Sequence, residues 1–297
     1  MPCIGFQCPD KKAIGFDRCL EKCQMGDRCL SRSSLLLLSR QRKWSGVPST
    51  TQLINGTMLE FLKLTNDFYE SPFDGAFKII GTRAHKGLEM QNDDLSLLEE
   101  RFEDEGMTGI ADFLEIEDGL NTLGDHKVAG WFKVVKAKGY HREIIETDEV
   151  FKSGERKGQK KTKKIWIKGE PDCREYELQL NRYRMNFEKA GFRVDRMKIE
   201  AIVRDHKNSP KVEGEYLLKP IEYFEIRKLP DDQVLEFFSK KREDLLRALQ
   251  DGSWNIPCSP DERWEDKRCL AYCSVNDKCP YYLANLKDKG GENDQDN

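Results

Sequence analysis

Apolar positions along the chain fall into short runs whose spacing names the elements. In "MTGIADFLEIEDGLNTLGDHKVAG", residues 107–130, Ile110, Phe113, Leu114 and Ile116 form one apolar run that "EDGL" interrupts at Asp118 and Gly119. That pattern predicts two strands joined by a tight turn. In "RVDRMKIEAIVRD", Met197, Ile199, Ala201 and Val203 recur every second residue, which predicts a strand with one apolar face. "IEYFEIRKLP" predicts another strand. Helical spacing predicts a capped helix or two in "VPSTTQLINGTMLEFLKLTNDFYE", and a helix opening at "GTRAHKGLEMQ". It also predicts a helix over "CREYELQLNRYRMNFEKAGF", closed by Gly191, and one over "DDQVLEFFSKKREDLLRALQ". An acidic amphipathic stretch, "NDDLSLLEERFEDEG", leads into the paired strands, and "SRSSLLLLSRQRKWSG" reads as a short helical or extended connector. Residues 152–168, "KSGERKGQKKTKKIWIK", are expected to form a mobile basic loop entering a short strand, and the tail "DKGGENDQDN" to be disordered.

The expected fold class is α/β (α+β), a mixed sheet flanked by helices. The chain divides into an N-terminal element and connector at 1–45, a core at 46–250, a C-terminal element at 251–286 and a tail at 287–297. With 38% hydrophobic and 35% charged residues there is material for a core under a heavily charged surface. The formal net charge of -3 excludes binding to nucleic acid through the overall field, so such a partner needs a local patch. The longest aliphatic run, "LLLL" at 35–38, is far short of the roughly 20 residues of a membrane span, which argues against a membrane partner. "MPCIGFQCPDKK" lacks the basic-then-apolar build of an export signal. An intracellular protein of the cytoplasm, in a bacterial or phage-infected cell, is expected.

The ten cysteines change the picture of the ends. Cys8, Cys19, Cys23 and Cys29 are spaced C-x10-C-x3-C-x5-C, and Cys258, Cys269, Cys273 and Cys279 repeat that spacing. Arg18, Leu20 and Asp27 recur as Arg268, Leu270 and Asp277. Four thiolates suit tetrahedral Zn2+ or an iron–sulfur cluster, and such a metal can hold together a segment too short to build its own core. The alternative is eight buried free thiols. The spacing leaves open the metal, and whether the two ends share ligands. Cys3 and Cys173 fall outside both quartets.

Several polar residues fall on predicted elements. Asp112 lies in the first strand of the hairpin, and Asp125 and Lys127 share a face of the second. Gln179 and Tyr183 stand at i and i+4 on one helix face, and His85 falls in the helix after Gly81. Singly, each has a bland account: a solvated ion pair, a packing histidine, the polar edge of an amphipathic helix.

In order, "AHKGLE", "GIAD", "GDHK" and "QLNRY" resemble the PD-(D/E)xK nuclease superfamily, in its RecB-like exonuclease branch, over roughly residues 80–205. The resemblance implies a restriction-endonuclease-like fold and hydrolysis of DNA phosphodiester bonds in replication, recombination or repair. It implies Mg2+ or Mn2+ held by His85, Asp112, Asp125 and the backbone carbonyl of His126. Lys127 would stabilise developing charge or orient water, and Gln179 and Tyr183 would place DNA or support Lys127. DNA is then the partner, with a helicase or recombination protein as a further one. Some members of the branch, the CRISPR-associated and Okazaki-maturation nucleases among them, carry a four-cysteine 4Fe-4S clasp with one cysteine before the core and three after. Cys269, Cys273 and Cys279 look like its downstream half, with one extra residue between the first two. A full quartet at each end departs from that arrangement. The eight Lys and Arg of residues 152–168 suit a DNA-facing loop. The competing functions are a non-catalytic DNA-binding or scaffold protein that uses the cysteine modules for contact, and an electron-transfer protein.

Overall fold

Two tight turns organise the central sheet. Asp118 and Gly119 have φ of 52° and 75°, and Glu105 and Gly106 have 52° and 67°. Two successive positive φ values give the turn whose twist matches that of paired strands. In the computed structural model, which describes residues 3–41, 43–90, 95–212 and 214–289 (backbone alone at 84, 85, 88, 89 and 289), these turns join three strands into a meander.

The chain opens with β1 (Cys3–Gln7), β2 (Ala13–Gly15), α1 (Phe16–Glu21) and α2 (Arg32–Leu38). Then come α3 (Thr50–Ile54), α4 (Thr57–Thr65), β3 (Phe68–Glu70) and α5 (Pro72–Glu89). The meander is β4 (Ser96–Asp104), β5 (Met107–Glu117) and β6 (Leu120–Ala129), followed by α6 (Trp131–Ala137). A long hairpin, β7 (Tyr140–Val150) and β8 (Lys160–Lys168), precedes α7 (Arg174–Lys189) and β9 (Arg196–Val203). The small pair β10 (Lys211–Val212) and β11 (Glu215–Tyr216) leads to β12 (Ile221–Glu225) and α8 (Asp231–Asp251). Short helices α9 (Pro260–Arg263), α10 (Lys267–Ala271) and α11 (Pro280–Asn285) complete the order.

The main sheet has the order β12-β9-β6-β5-β4. Its strands are antiparallel except for β6 and β9, which run parallel in register from Thr122↔Arg196 to Ala129↔Val203. A parallel neighbour needs a long crossover, and α6, the β7–β8 hairpin and α7 supply it. The apolar side of β9 is as its alternation predicts: Met197, Ile199, Ala201 and Val203 are all buried. They pack with Leu180, Tyr183 and Phe187 of α7 and Val134 and Val135 of α6. On its other side α7 gives Leu178 to a second cluster containing Leu53, Leu62, Val234, Phe238 and Leu245, from α3, α4 and α8. The helix is therefore covered on both sides. Its fully buried Arg184 is met by Glu188 at 2.6 Å and by Asp231, and Arg182 by Asp104 at 3.1 Å.

Both cysteine-rich ends dock on this helical layer. The N-terminal hairpin extends through parallel pairing of β1 with β3, and Phe16 packs against the second cluster as well as its own. Val275 of the C-terminal element is fully buried in the same second cluster. The two ends thus pack against one shared layer.

The basic run differs from expectation. Lys160–Lys168 is a nine-residue strand paired with β7 rather than a loop with a short strand at its end. The acidic stretch before the turn is strand β4. Residues 290–297 of the expected disordered tail lie outside the described residues. No helix among the described residues is long and apolar enough to cross a membrane.

Gly124 of β6 sits under the Phe113 ring, and a Cβ there would stand 1.9 Å from Phe113 Cζ. Gly124→Ala is expected to cost about 1–3 kcal/mol through overpacking, read as a lowered midpoint in thermal unfolding. Adding Phe113→Leu should recover part of that loss, and an unshifted single variant would contradict the packing.

Candidate active site

Strand β6 carries Asp125 and Lys127 two residues apart, so both leave the same face. Asp125 is buried completely. Gln179 Nε2 of α7 donates to Asp125 Oδ1 at 2.8 Å. One turn further, Tyr183 is 2% exposed. Lys127 reaches along its own strand, and its ammonium forms an ion pair with Asp125 Oδ2.

Asp112 arrives from the neighbouring strand. The paired register of β5 with β6 runs from Glu117↔Leu120 to Phe113↔Gly124 and stops there. One residue beyond, Asp112 Oδ2 accepts a hydrogen bond from His126 N at 2.7 Å. The carboxylate thus takes an amide that backbone pairing leaves over, and is tied to the backbone between Asp125 and Lys127. The His126 ring turns to the other side of the sheet, where it lies against Phe113 with ring centroids 4.7 Å apart and Nδ1 is 3.3 Å from Glu200 Oε1.

Charge governs this pocket. Burial works against the Lys127 ammonium, but the carboxylates of Asp125 and Asp112 outweigh it and raise its pKa. Burial, reinforced by the charge on Asp125, pushes the Tyr183 phenol far above its ordinary range. The Tyr176 phenol is also raised, burial prevailing over Lys133 and Lys127. Both phenols stay neutral at any physiological pH. Asp125 Oδ2 is buried and, among the described residues, accepts no hydrogen bond; the Lys127 contact is an ion pair without hydrogen-bond angles. Buried acceptors are rarely left so. Two carboxylates on adjacent strands, one with an oxygen that meets only the Lys127 ammonium among the described residues, fit a hard divalent cation.

The structure brings Asp112, Asp125, Lys127, Gln179 and Tyr183 together in one place. Gln179 supports Asp125 rather than Lys127. The backbone of His85 lies in the last turns of α5, which packs on β6, while its side chain lies outside the described residues. Tyr176 is a residue the motifs do not point to. It precedes Gln179 by three and Tyr183 by seven, so helical spacing alone places all three on one face.

The cysteine quartets occupy separate places. Cys8 closes the turn between β1 and β2, with Cys8 N to Lys12 O and Lys11 N to Cys8 O both 2.8 Å. The Cys19 thiol is raised first by burial and then by Cys8 and Cys29. Cys258, Cys269, Cys273 and Cys279 line one cavity together with Met58, Leu59 and Leu62 of α4. Burial, and then the other three thiols, pushes Cys269 up to about 11. Burial also raises the Cys258 and Cys273 thiols, against backbone hydrogen bonds from Leu59 and Val275 that favour the thiolates. Among the described residues no three His, Cys, Asp or Glu side chains are disposed as a metal-binding group.

The folded pKa of Lys127 is raised from 10.5, so its ion pair contributes fully below about pH 10.5 and the contribution is lost as pH rises through the folded value. Lys127→Met is expected to lower stability by roughly 3 kcal/mol at neutral pH. That gap should close in alkaline denaturant titrations; a gap independent of pH would contradict the pairing.

No family model matches the chain, and no curated protein matches it. Among solved structures, one described as "Crystal structure of SSO0001" is similar to it with a TM-score of 0.41 and 14% sequence identity, over 84% of this chain and 93% of that chain.

Proposed function

We propose that the protein is a metal-dependent deoxyribonuclease of the PD-(D/E)xK type, built on a restriction-endonuclease-like core. The observation that supports this most is the fully buried Asp125, whose Oδ2 accepts no hydrogen bond among the described residues, beside Asp112 and Lys127. Fully burying a carboxylate is costly unless a cation completes it, and one lysine that is 28% exposed completes it only in part.

Asp112 and Asp125 would hold Mg2+ or Mn2+, with His85 and the His126 carbonyl as further ligands. Such a cation, when bound, supplies a Lewis acid for a phosphate oxygen and lowers the pKa of a coordinated water. The chain does the rest. Lys127 keeps a full positive charge at neutral pH and sets it where negative charge develops on the phosphate. Gln179 fixes the orientation of Asp125 through the 2.8 Å hydrogen bond to Oδ1, leaving Oδ2 turned to Lys127. Neutral Tyr183 and Tyr176 close the helix side of the pocket against water without adding charge.

The C-terminal quartet would bind Zn2+ or a 4Fe-4S cluster in its cavity, and the N-terminal quartet a second metal. Repulsion from neighbouring thiolates adds to burial in raising Cys19 and Cys269, and a bound cation would relieve it.

Two measurements test this. Purified protein with Mg2+ or Mn2+ should degrade DNA, and Asp125→Ala should abolish cleavage while still binding DNA. Equal cleavage by both would assign the activity elsewhere, and absence of cleavage by the wild type with DNA still bound would favour the non-catalytic binding protein. The purified protein should also contain zinc or iron, iron giving a visible absorption band. Cys269→Ser should lose the C-terminal share of that metal and keep the N-terminal share, whereas a metal-free wild type would remove the quartets as sites.

A further inference from the structure

A row of three side chains crosses the sheet on the side away from Asp125 and ends at the candidate active site. In register, His126 of β6 stands beside Glu200 of β9, and Glu200 stands beside Tyr223 of β12. Alternation sets these three on the face opposite Asp125, Lys127, Ile199 and Ala201. The contacts follow the row. The Tyr223 hydroxyl donates to Glu200 Oε2 at 2.8 Å, and Glu200 Oε1 is 3.3 Å from His126 Nδ1. Lys198, two residues before Glu200 on β9, is taken up by Glu117 at 2.9 Å and Glu115 at 3.3 Å. The Glu200 carboxylate is thus shared, one oxygen each, between a phenol and an imidazole.

The backbone of His126 is where this row meets the site. The β5–β6 ladder ends at Phe113↔Gly124, and beyond it the His126 N–H donates to Asp112 Oδ2 at 2.7 Å. A peptide that backbone pairing no longer holds on that side can tilt, and a tilt here carries the carboxylate bonded to it. The His126 ring opposes that motion, because ring and amide leave the same residue and the ring is fastened to β9 on one side and lies against Phe113 on the other.

From this arrangement we infer that Glu200 is a positioning residue. It holds the His126 ring from behind the sheet, Tyr223 steadies its second oxygen, and the His126 amide so fixed holds Asp112 in place. The effect on a bound cation rests on the deoxyribonuclease proposal, whereas the effect on the amide does not. Groups that orient a metal ligand from outside govern affinity strongly, since a ligand free to turn must be ordered again at each binding event. Glu200 itself touches neither metal nor substrate, being on the far face of the sheet.

The test is nuclear magnetic resonance of the full chain labelled with nitrogen-15 at its four histidines, so that the His126 amide is one signal among few. Asp112→Ala identifies that signal and gives the shift of an amide that has lost its carboxylate. Glu200→Ala should move it part of the way in the same direction, and Glu200→Gln, which keeps an oxygen for Nδ1, should restore it. Tyr223→Phe removes only a hydroxyl from an exposed ring and should move it less, a reading that stands even if Glu200→Ala does not fold. Mn2+ binding, followed by electron paramagnetic resonance and counted against Asp125→Ala, should be about tenfold weaker in Glu200→Ala and near wild type in Glu200→Gln. A His126 amide indifferent to both Glu200→Ala and Tyr223→Phe overturns the positioning. So does an equal displacement in Glu200→Gln, which would make it an effect of charge alone. An amide that follows Glu200 in a protein binding no Mn2+ at Asp125 upholds the positioning and overturns the metal site; Mn2+ affinity that falls while the amide stays put does the reverse.

Discussion

A carboxylate with no exposure, set between a sheet and a helix, is the constraint that the rest of the structure serves. Asp125 sits, fully buried, on the strand that has both an antiparallel and a parallel neighbour. It is tolerable there only because Gln179 donates to one oxygen and Lys127 places an ammonium at the other. Gln179 in turn is held by a helix that is apolar toward the sheet and apolar toward α3, α4 and α8. The price of that double coverage is a set of buried arginines, which Asp104, Glu188 and Asp231 neutralise. Charge compensation thus runs through the whole core, with its centre at one aspartate.

Much of this was legible in the chain and some was not, for physical reasons. "EDGL" identifies a turn because the Asp-Gly pair accepts two positive φ values with little strain, and β9 declares itself because one of its faces is wholly apolar. Asp125 with Lys127, and Gln179 with Tyr183, could each be placed on one face since strand and helix periodicities are local, while the meeting of strand and helix depends on the tertiary fold. The β7–β8 hairpin was hidden for the opposite reason: "YHREIIETDEV" and "KKTKKIWIK" lie mostly in solvent on both faces, so no apolar alternation marks them. β4 is masked by its charges in the same way. The amide that Asp112 captures is not visible at all in the sequence, because it depends on where the β5–β6 register ends. Tyr176 was visible in spacing and carried no motif to draw attention to it.

The two cysteine-rich ends illustrate how a repeat in sequence becomes two different surroundings. The first quartet is built around a small hairpin with its own apolar cluster of Phe6, Ile14 and Leu35. The second has hardly any core of its own and borrows the side of α4, where Gly56 is required because a Cβ would stand 2.2 Å from Cys258 Sγ. Equal spacing therefore gives unequal dependence on the rest of the chain.

The parallel pairing of β6 with β9 also sets an order in time. As the chain leaves the ribosome, Asp112, Asp125 and Lys127 emerge on a meander whose pairing is local in sequence. The helix that covers them and the strand that flanks β6 follow only after the whole β7–β8 hairpin has been made. During that interval the acids are solvated and the pocket does not exist. A fragment ending within the hairpin would carry Asp112, Asp125 and Lys127 without the helix and strand that enclose them.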